Sequence, residues 1–171
     1  CCYADHRDLH PTATTLTGWQ GRLALNKQSG NWRLNSTAGY SSPGYAINDL
    51  GFMMRTDVIN GSVVGGYSWR EPNRLFRSQD LYLATYRSWD TGGTRTSGGY
   101  GLFWFAQLAN FWRADGRLFF NPETNDVYKT RGGPVMRAPA YREARFSLGT
   151  DSRRAWALGL NLHADEHDGG Y

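Results

Sequence analysis

Carboxylates are the side chains in this sequence with the most obvious catalytic chemistry. They are Asp5, Asp49, Asp57, Asp115, Glu123, Asp126, Glu143, Asp165 and Glu166. A glycoside hydrolase needs two such groups on either side of the bond that it cleaves, and nothing in the spacing selects two of these. We interpret Asp115 and Glu143 instead as members of a charge network with Arg22, Arg33, Arg113, Arg117 and Arg145. The sequence therefore predicts no catalytic residue.

Two histidines are four residues apart in "HADEH", from His163 to His167. On a helix this spacing would put both imidazoles on one face, as a zinc site requires. Here the segment continues an alternating strand and runs into Gly-Gly, and Glu does not directly follow the first His, as it does in zinc proteases. The nucleophile elbow, the P-loop and the dinucleotide fingerprint are also missing from the sequence. We therefore predict no metal site and no cofactor.

Two long connections carry the residues best suited to bind a ligand. The first lies within "SSPGYAINDLGFMMRTDVING" (41–61), and the second is "KTRGGPVMRAP" (129–139), in which Gly-Gly-Pro predicts a fixed turn. Arg131 could pair with Asp49 or Asp57 across the two loops. One interpretation is loop-to-loop packing. The other is a ligand-binding surface, for example for glycans, formed by Tyr45, Asn48, Asp49, Phe52, Tyr128 and Arg131.

Composition excludes several classes of protein. The 19 basic and 15 acidic residues are interspersed and leave a net charge of +4, so no dense basic block predicts a nucleic-acid partner. No run of about 18 apolar residues predicts a transmembrane helix. The adjacent Cys1 and Cys2 cannot staple the fold. The chain begins without Met or a signal peptide, and we expect it to be a piece of a longer chain.

Alternation of period two dominates the sequence and predicts β-strands. In "AWALGLNLHA", Trp156, Leu158, Leu160 and Leu162 fall on one face. We predict eight strands, at 16–27, 31–41, 56–69, 75–89, 99–111, 113–121, 141–150 and 155–164. The connections at 28–30, 70–74 and 151–154 are short, whereas those at 42–55, 90–99 and 122–140 are long.

Alternating short and long connections are typical of an outer-membrane β-barrel, which has short periplasmic turns and long external loops. Aromatic residues near the strand ends would form its interfacial girdles; they are Trp19, Trp32, Tyr40, Trp69, Trp89, Trp112 and Trp156. The predicted fold is all-β. It is an antiparallel up-and-down meander of about eight strands that is part of, or a small, transmembrane β-barrel. Residues 1–171 form one segment of it, with 1–15 an exposed loop.

Several stretches in this order resemble a known family. They are "YADHRDLHPTATTLTGWQGRLALNKQSGNWR", "SPGYAINDLGFMMRTD", "FRSQDL", "AQLANFWR", "TRGGPVMRAP" and "GTDSRRA". The chain resembles the C-terminal β-barrel domain, of unassigned function, of bacterial proteins with an N-terminal family-9-like carbohydrate-binding module. The resemblance implies a location in the bacterial outer membrane and a barrel larger than this piece. It supplies no catalytic residues.

Three functions follow from these observations. The first is a non-catalytic outer-membrane barrel segment in contact with lipid, which binds or passes a ligand such as a glycan. The second is a soluble all-β carbohydrate-binding module with aromatic stacking platforms. The third is a glycan hydrolase that uses loop carboxylates. Exposure of the stripe that contains Trp156 and Leu160 is expected for the first function, and its burial for the second.

Overall fold

The computed structural model describes residues 14–45, 55–127, 129 and 134–169. The strands are β1 (Gln20–Lys27), β2 (Trp32–Ser41), β3 (Val58–Trp69), β4 (Phe76–Trp89), β5 (Arg95–Leu108), β6 (Arg113–Asn121), β7 (Thr124–Asp126), β8 (Met136–Ala138), β9 (Tyr141–Gly149) and β10 (Gly159–His167). Eight of them form one antiparallel sheet in the order β1-β2-β3-β4-β5-β6-β9-β10, and β7 pairs with β8. The predicted all-β meander of eight strands is confirmed. β1 and β10 do not pair, so the sheet is not closed into a barrel within the described part of the chain.

Two of the predicted connections were wrong in length. β5 begins at Arg95, so the connection after β4 is the short segment 90–94 and not the long loop 90–99. β10 begins at Gly159, so the connection 150–158 is longer than the predicted turn at 151–154 and includes Trp156. The predicted strict alternation of short and long connections therefore does not hold.

The glycines of "SGGYG" explain the first of these errors. In this segment (97–101), which overlaps the predicted long connection, Gly99 is a strand residue opposite Tyr86. A Cβ at Gly99 would lie 2.2 Å from Asn121 Oδ1 and 2.7 Å from Tyr86 Cε1. Tyr86 donates a hydrogen bond of 2.9 Å to Asn121 through this space. Glycine in a strand here marks the close approach of neighbouring side chains and not a break in the strand.

Strand register divides the side chains between two faces, because successive residues point to opposite sides of a sheet and paired residues point to the same side. The face that we call the polar face carries Arg22, Arg33, Asn60, Asp80, Asp115, Arg117, Glu143, Arg145, His163 and Asp165. The opposite face, which we call the apolar face, carries Leu23, Leu25, Leu34, Val63, Leu83, Leu102, Leu118, Phe146, Leu160 and Leu162.

The sheet has no two-layer hydrophobic core. Val58, Ala106, Ala114 and Val127 are the only buried hydrophobic residues among those that the structure describes. Leu83 in the middle of the sheet is 64% exposed, and Leu118 is 54% exposed. No helix of sufficient length and apolarity to cross a membrane occurs in the described ranges. Within the described part of the chain, the apolar face of the meander is therefore largely uncovered.

The two ends of the sheet differ in their connections. The loop end carries connections 42–57, 90–94 and 122–140, the last of which contains the β7–β8 hairpin. Arg95 Nη2 donates a hydrogen bond of 2.5 Å to the Glu123 carbonyl and thereby joins this connection to β5. The turn end carries connections 28–31, 70–75, 109–112 and 150–158.

Candidate functional site

A charge cluster on the polar face joins β6 and β9. Glu143 Oε1 accepts a hydrogen bond from Arg117 Nη2 at 2.6 Å and lies 2.5 Å from Arg145 Nε. Its other oxygen accepts a hydrogen bond of 2.8 Å from the Tyr141 hydroxyl. Arg117 and Arg145 are directly opposite each other in the register, and the Glu143 carboxylate bridges the two facing guanidinium groups. The structure thus brings three members of the predicted network together.

The remaining members of the predicted network do not join this cluster. Arg113 and Asp115 lie on the polar face of β6, nearer the turn end. Arg22 and Arg33 lie on the same face of β1 and β2, at the other side of the sheet. None of these four forms an ion pair with another residue of the described ranges. A single continuous network is therefore absent from that part of the chain.

β10 adds acidic and imidazole side chains beside the charge cluster. Asp165 is opposite Glu143 in the register, and its carboxylate oxygens lie 3.8 Å from His163 Nε2 and 3.7 Å from His167 Nε2. The His167 ring contacts the Tyr141 ring with a centroid separation of 4.5 Å. Within the described ranges, no group of His, Cys, Asp and Glu side chains could hold a metal ion.

Aromatic side chains occupy the middle of the polar face, which the sequence pattern did not predict. We call Tyr82, Tyr86, Phe103, Phe105 and Phe119 the aromatic cluster. Ring centroids are 6.4 Å apart for Tyr82 and Phe105, and 6.1 Å apart for Phe103 and Phe119. Both faces of β4 and β5 carry large side chains, so periodicity alone could not assign these rings to a face.

Glycines on neighbouring strands make room for these rings. A Cβ at Gly66 would lie 2.1 Å from Tyr82 Cδ1, and a Cβ at Gly101 would lie 2.6 Å from Phe103 Cε2. On the apolar face, a Cβ at Gly65 would meet no atom within 4 Å. Side chains are therefore crowded over the middle of the polar face, whereas the apolar face is open at Gly65.

A polar groove of about 500 Å³ lies at the loop end, where β1 to β4 meet. Arg22, Arg55, Thr37, Asn60, Ser62 and Tyr86 are among its lining residues. Thr37 Oγ1 and Ser62 Oγ are 2.8 Å apart and share a hydrogen bond, and Arg55 Nη2 donates one of 2.5 Å to Thr96 Oγ1. Guanidinium, amide and hydroxyl groups therefore line one concave surface.

Two fully buried aspartates support the loop end. Asp57 Oδ1 accepts hydrogen bonds from the Thr91 amide at 3.0 Å and from the Thr91 hydroxyl at 2.5 Å. Asp90 Oδ1 accepts one of 2.7 Å from the Thr94 amide and closes the turn 90–94. Neither carboxylate is open to a cleft, which argues against acid or base catalysis by these two residues. Sequence reasoning missed the contact with Thr91, because the partners are 34 residues apart.

Most of the predicted loop site lies outside the described residues. This applies to Asn48, Asp49, Phe52, Tyr128 and Arg131. Tyr45 is described and is partly exposed, and its amide donates a hydrogen bond of 3.2 Å to the Ser42 carbonyl. The predicted ligand-binding surface on the loops therefore stays a prediction.

An ionic clamp orders the turn end. Arg153 donates from Nε to Asp151 Oδ1 and from Nη2 to Oδ2, both at 2.8 Å. These hydrogen bonds lower the pKa of the Asp151 carboxyl to about 2 and raise the pKa of Arg153. The Arg153 guanidinium lies 3.9 Å from the centroid of Phe111, and that of Arg77 lies 4.2 Å from it. The clamp thereby connects the turn-end connections 109–112 and 150–158 with each other and with β4.

The sequence analysis also did not predict a polar pair near the turn end, formed by Ser68 and Asp80. Asp80 Oδ1 accepts hydrogen bonds from the Ser68 hydroxyl and from Arg70 Nη2, the latter at 2.7 Å. Ser68 is fully buried on β3, and Asp80 is opposite it on β4. The pair holds the two strands together beside the aromatic cluster.

The comparisons with known proteins give a family match without a function. A protein-family model described as "Domain of unknown function (DUF5916)" matches residues 4–169. This range includes every strand of the sheet. No curated protein and no solved structure matches the chain. Function must therefore be inferred from the two faces and from the groove.

Proposed function

The chain belongs to the DUF5916 family, and we propose that it is a segment of a bacterial outer-membrane β-barrel. In this proposal the apolar face contacts lipid, and the polar face lines a water-filled interior. The segment binds or passes a ligand such as a glycan and performs no catalysis. The lipid, the ligand and the remainder of a longer chain are its partners.

One observation carries the proposal, which is that the apolar side chains are exposed while the polar side chains of the central strands are crowded together. In the stripe that ends on β10, Trp156 is 85%, Leu158 71%, Leu160 48% and Leu162 55% exposed. Monomeric soluble proteins rarely leave a contiguous apolar surface of this extent in water. Lipid would cover it without a second protein layer, because strands of a membrane barrel alternate apolar-out and polar-in.

The distribution of aromatic rings on the apolar face supports the same orientation. At the turn end, the Tyr67 ring contacts Trp32 and Trp69 with centroid separations of 5.0 and 4.7 Å. At the loop end, Trp19 stacks on Tyr40 with a separation of 4.3 Å. Trp32 and Tyr40 are eight residues apart on β2, which is about 26 Å along an extended strand. With a strand tilt of about 35–45°, this corresponds to about 18–21 Å along the barrel axis, which places the two groups of rings toward opposite edges of an apolar band about 25 Å tall.

Three charged residues on the apolar face (Arg87, Arg142 and Glu166) lie near its loop end and support an interface at that level. Arg142 Nη1 is 3.2 Å from Glu166 Oε2, and the Arg87 guanidinium lies 4.4 Å from the Tyr100 ring centroid. Arg142, Glu166 and Tyr100 also line an apolar groove of about 660 Å³, whose further lining includes Leu83, Leu102 and Leu118. In this orientation the arginines reach the polar headgroups of the lipid. An acyl chain of the lipid fills the apolar groove.

The polar face supports a ligand with many hydroxyl groups. The aromatic cluster offers flat apolar surfaces, of which Phe105 is 46% exposed, and the loop-end groove offers hydroxyl, amide and guanidinium groups beside it. Sugars present both an apolar face and a ring of hydroxyls, so these two surfaces match them. Hydrolysis is disfavoured because Glu143, opposite Asp165, is already engaged by Arg117, Arg145 and Tyr141.

The experiment that tests the orientation uses two neighbouring residues of β4. The full-length protein, with Cys1→Ser and Cys2→Ser, carries either Leu83→Cys on the apolar face or Ala84→Cys on the polar face. Each cysteine is labelled with a fluorophore in lipid vesicles and is quenched by lipid-attached nitroxide or by aqueous iodide. We expect nitroxide to quench the label at position 83 and iodide to quench the label at position 84.

Cell fractionation provides the second readout. We expect the protein in the outer-membrane fraction, with a shift in gel mobility on heating in detergent. A protein that stays soluble without detergent, with no difference between the two labelled positions, would favour the soluble carbohydrate-binding module and would overturn the proposal.

A further inference from the structure

Acidic residues are unevenly distributed over the polar face. β1, β2 and β3 contain no Asp or Glu, whereas Arg22 and Arg33 lie on their polar face. Four of the other five strands of the sheet (β4, β6, β9 and β10) carry Asp80, Asp115, Glu143 and Asp165 on that face. On the polar face of β6, β9 and β10, three carboxylates (Asp115, Glu143 and Asp165) match three guanidinium groups in number (Arg113, Arg117 and Arg145). Arg22 and Arg33 on β1 and β2 have no carboxylate on their own or the adjoining strands β1 to β3, so unbalanced positive charge lies at that side of the sheet.

The loop-end groove lies within this acid-free region. Its described lining contains Arg22 and Arg55 but no carboxylate, and Gln20, Asn60, Ser62 and Ser97 supply further hydrogen-bonding groups. The Arg22 side chain is exposed on the edge strand. An exposed guanidinium offers a planar fork that binds a carboxylate or sulfate through two parallel hydrogen bonds.

A second observation comes from Ser41 in the lining of the same groove. The residue is only 4% exposed, and its Oγ has no hydrogen-bond partner in the described part of the chain. A buried hydroxyl without a partner costs free energy, and such groups in native proteins usually point to a partner that the protein chain does not supply. The wall of the groove therefore contains one hydroxyl whose hydrogen bond the described part of the chain does not supply.

We infer that the loop-end groove binds the acidic group of an anionic oligosaccharide, with Arg22 as the residue that contacts the carboxylate or sulfate. Tyr86 connects the groove to the aromatic cluster, so a sugar chain bound at Arg22 can continue over the rings of the polar face. This inference rests on the proposed function, because it names the class of ligand that the polar face would bind or pass.

The test compares three probes on the full-length protein in detergent by isothermal titration calorimetry. The probes are a tetramer of galacturonic acid, a neutral tetramer of glucose, and inorganic sulfate. We expect the acidic tetramer to bind more tightly than both others, with an affinity that falls as salt rises. Equal binding of the neutral tetramer would overturn the acidic specificity, and equal binding of sulfate would reduce the site to a simple anion site and overturn the inference.

Two matched variants of β1 locate the site. Arg22→Gln removes one positive charge from the groove, and we expect it to weaken binding of the acidic tetramer by about ten-fold or more, since it removes the charge-assisted hydrogen bonds to the acidic group. Lys27→Gln removes one positive charge from the apolar face of the same strand, where Lys27 Nζ donates to the Ser29 carbonyl, and we expect unchanged binding. Equal losses in both variants would mean attraction by net charge alone and would overturn the assignment.

The failure of this inference can be distinguished from failure of the proposed function. The label at position 83 can be quenched by nitroxide and that at position 84 by iodide while the acidic tetramer binds no more tightly than the other probes. In that case the barrel orientation stands and the acidic ligand is wrong. A urea unfolding midpoint for Arg22→Gln within error of the unsubstituted protein shows that any loss of binding is not a loss of folding.

Discussion

Arg117 on β6 and Glu143 on β9 form a hydrogen-bonded ion pair of 2.6 Å, although they are 26 residues apart in the sequence. The connection between their strands contains the β7–β8 hairpin, so only the pairing of β6 with β9 brings them together. Arg145 approaches the same oxygen of Glu143 at 2.5 Å. The carboxylate is therefore the group that allows two arginines to face each other across the strand pair.

The first prediction concerns this carboxylate. Glu143→Gln leaves Arg117 and Arg145 opposite each other without a counter-charge, and we expect a lower urea midpoint of unfolding, followed by tryptophan fluorescence in detergent micelles. Glu166→Gln is the matched control, because Glu166 pairs with Arg142 in an exposed position on the apolar face. We expect that control to have little effect. Equal midpoints for the two variants would show that the cluster does not stabilise the sheet.

The second prediction uses two adjacent glycines of β3. Gly66→Ala places a Cβ 2.1 Å from the Tyr82 ring and 2.7 Å from the Leu81 carbonyl, so we expect it to lower the free energy of unfolding by about 1–3 kcal/mol, as overpacking does. Gly65→Ala places its Cβ in open space on the other face and should leave stability unchanged or raise it slightly. A loss of similar size in both variants would contradict the crowding of the polar face.

The third prediction concerns acid stability at the turn end. Because the pKa of Asp151 is lowered to about 2, the ion pair with Arg153 stabilises the folded state fully above the ordinary carboxyl pKa of about 3.9. This contribution is lost as the pH falls through about 2, since both states are then protonated. We expect Asp151→Asn to lower the unfolding midpoint at pH 7, with a difference from the unsubstituted protein that shrinks between about pH 4 and pH 2.

The control for this pH dependence is Asp115→Asn. Asp115 has no ion pair with another residue of the described ranges, so we expect a smaller change at pH 7. A difference between Asp151→Asn and the unsubstituted protein that stays constant down to pH 2 would assign the effect of Asp151 to packing and not to charge.

The fourth prediction concerns the loop end. Asp57 is fully buried with a positive φ of 60°, and its carboxylate accepts two hydrogen bonds from Thr91. Asp57→Ala removes the acceptor for the Thr91 amide, and we expect a loss of stability of about 1–3 kcal/mol. Asp57→Asn should lose less, because Asn keeps an acceptor oxygen and tolerates the left-handed region. Thermal unfolding followed by circular dichroism measures both, and an equal loss would count against the role of the carboxylate.

Much of the fold could be predicted from the sequence. The segments 31–41 and 113–121 became β2 and β6 with almost the predicted bounds, because their alternation of apolar and polar residues is a local property. The bounds of β5 were harder to predict, since large apolar side chains lie on both of its faces and Gly98 and Gly99 lie near its start. Its start at Arg95 depends on pairing with Trp89 of β4, a contact with another strand.

The sequence by itself determined that this is an eight-stranded all-β meander with one apolar and one polar face, because alternation of apolar and polar residues is a local property of each segment. Only the tertiary structure decided which side chains meet. The engagement of Glu143 by Arg117, the aromatic cluster over its glycines, and the acid-free groove at Arg22 all depend on strand register. Register joins residues that are far apart in the chain, and a shift of one position would move every side chain to the other face.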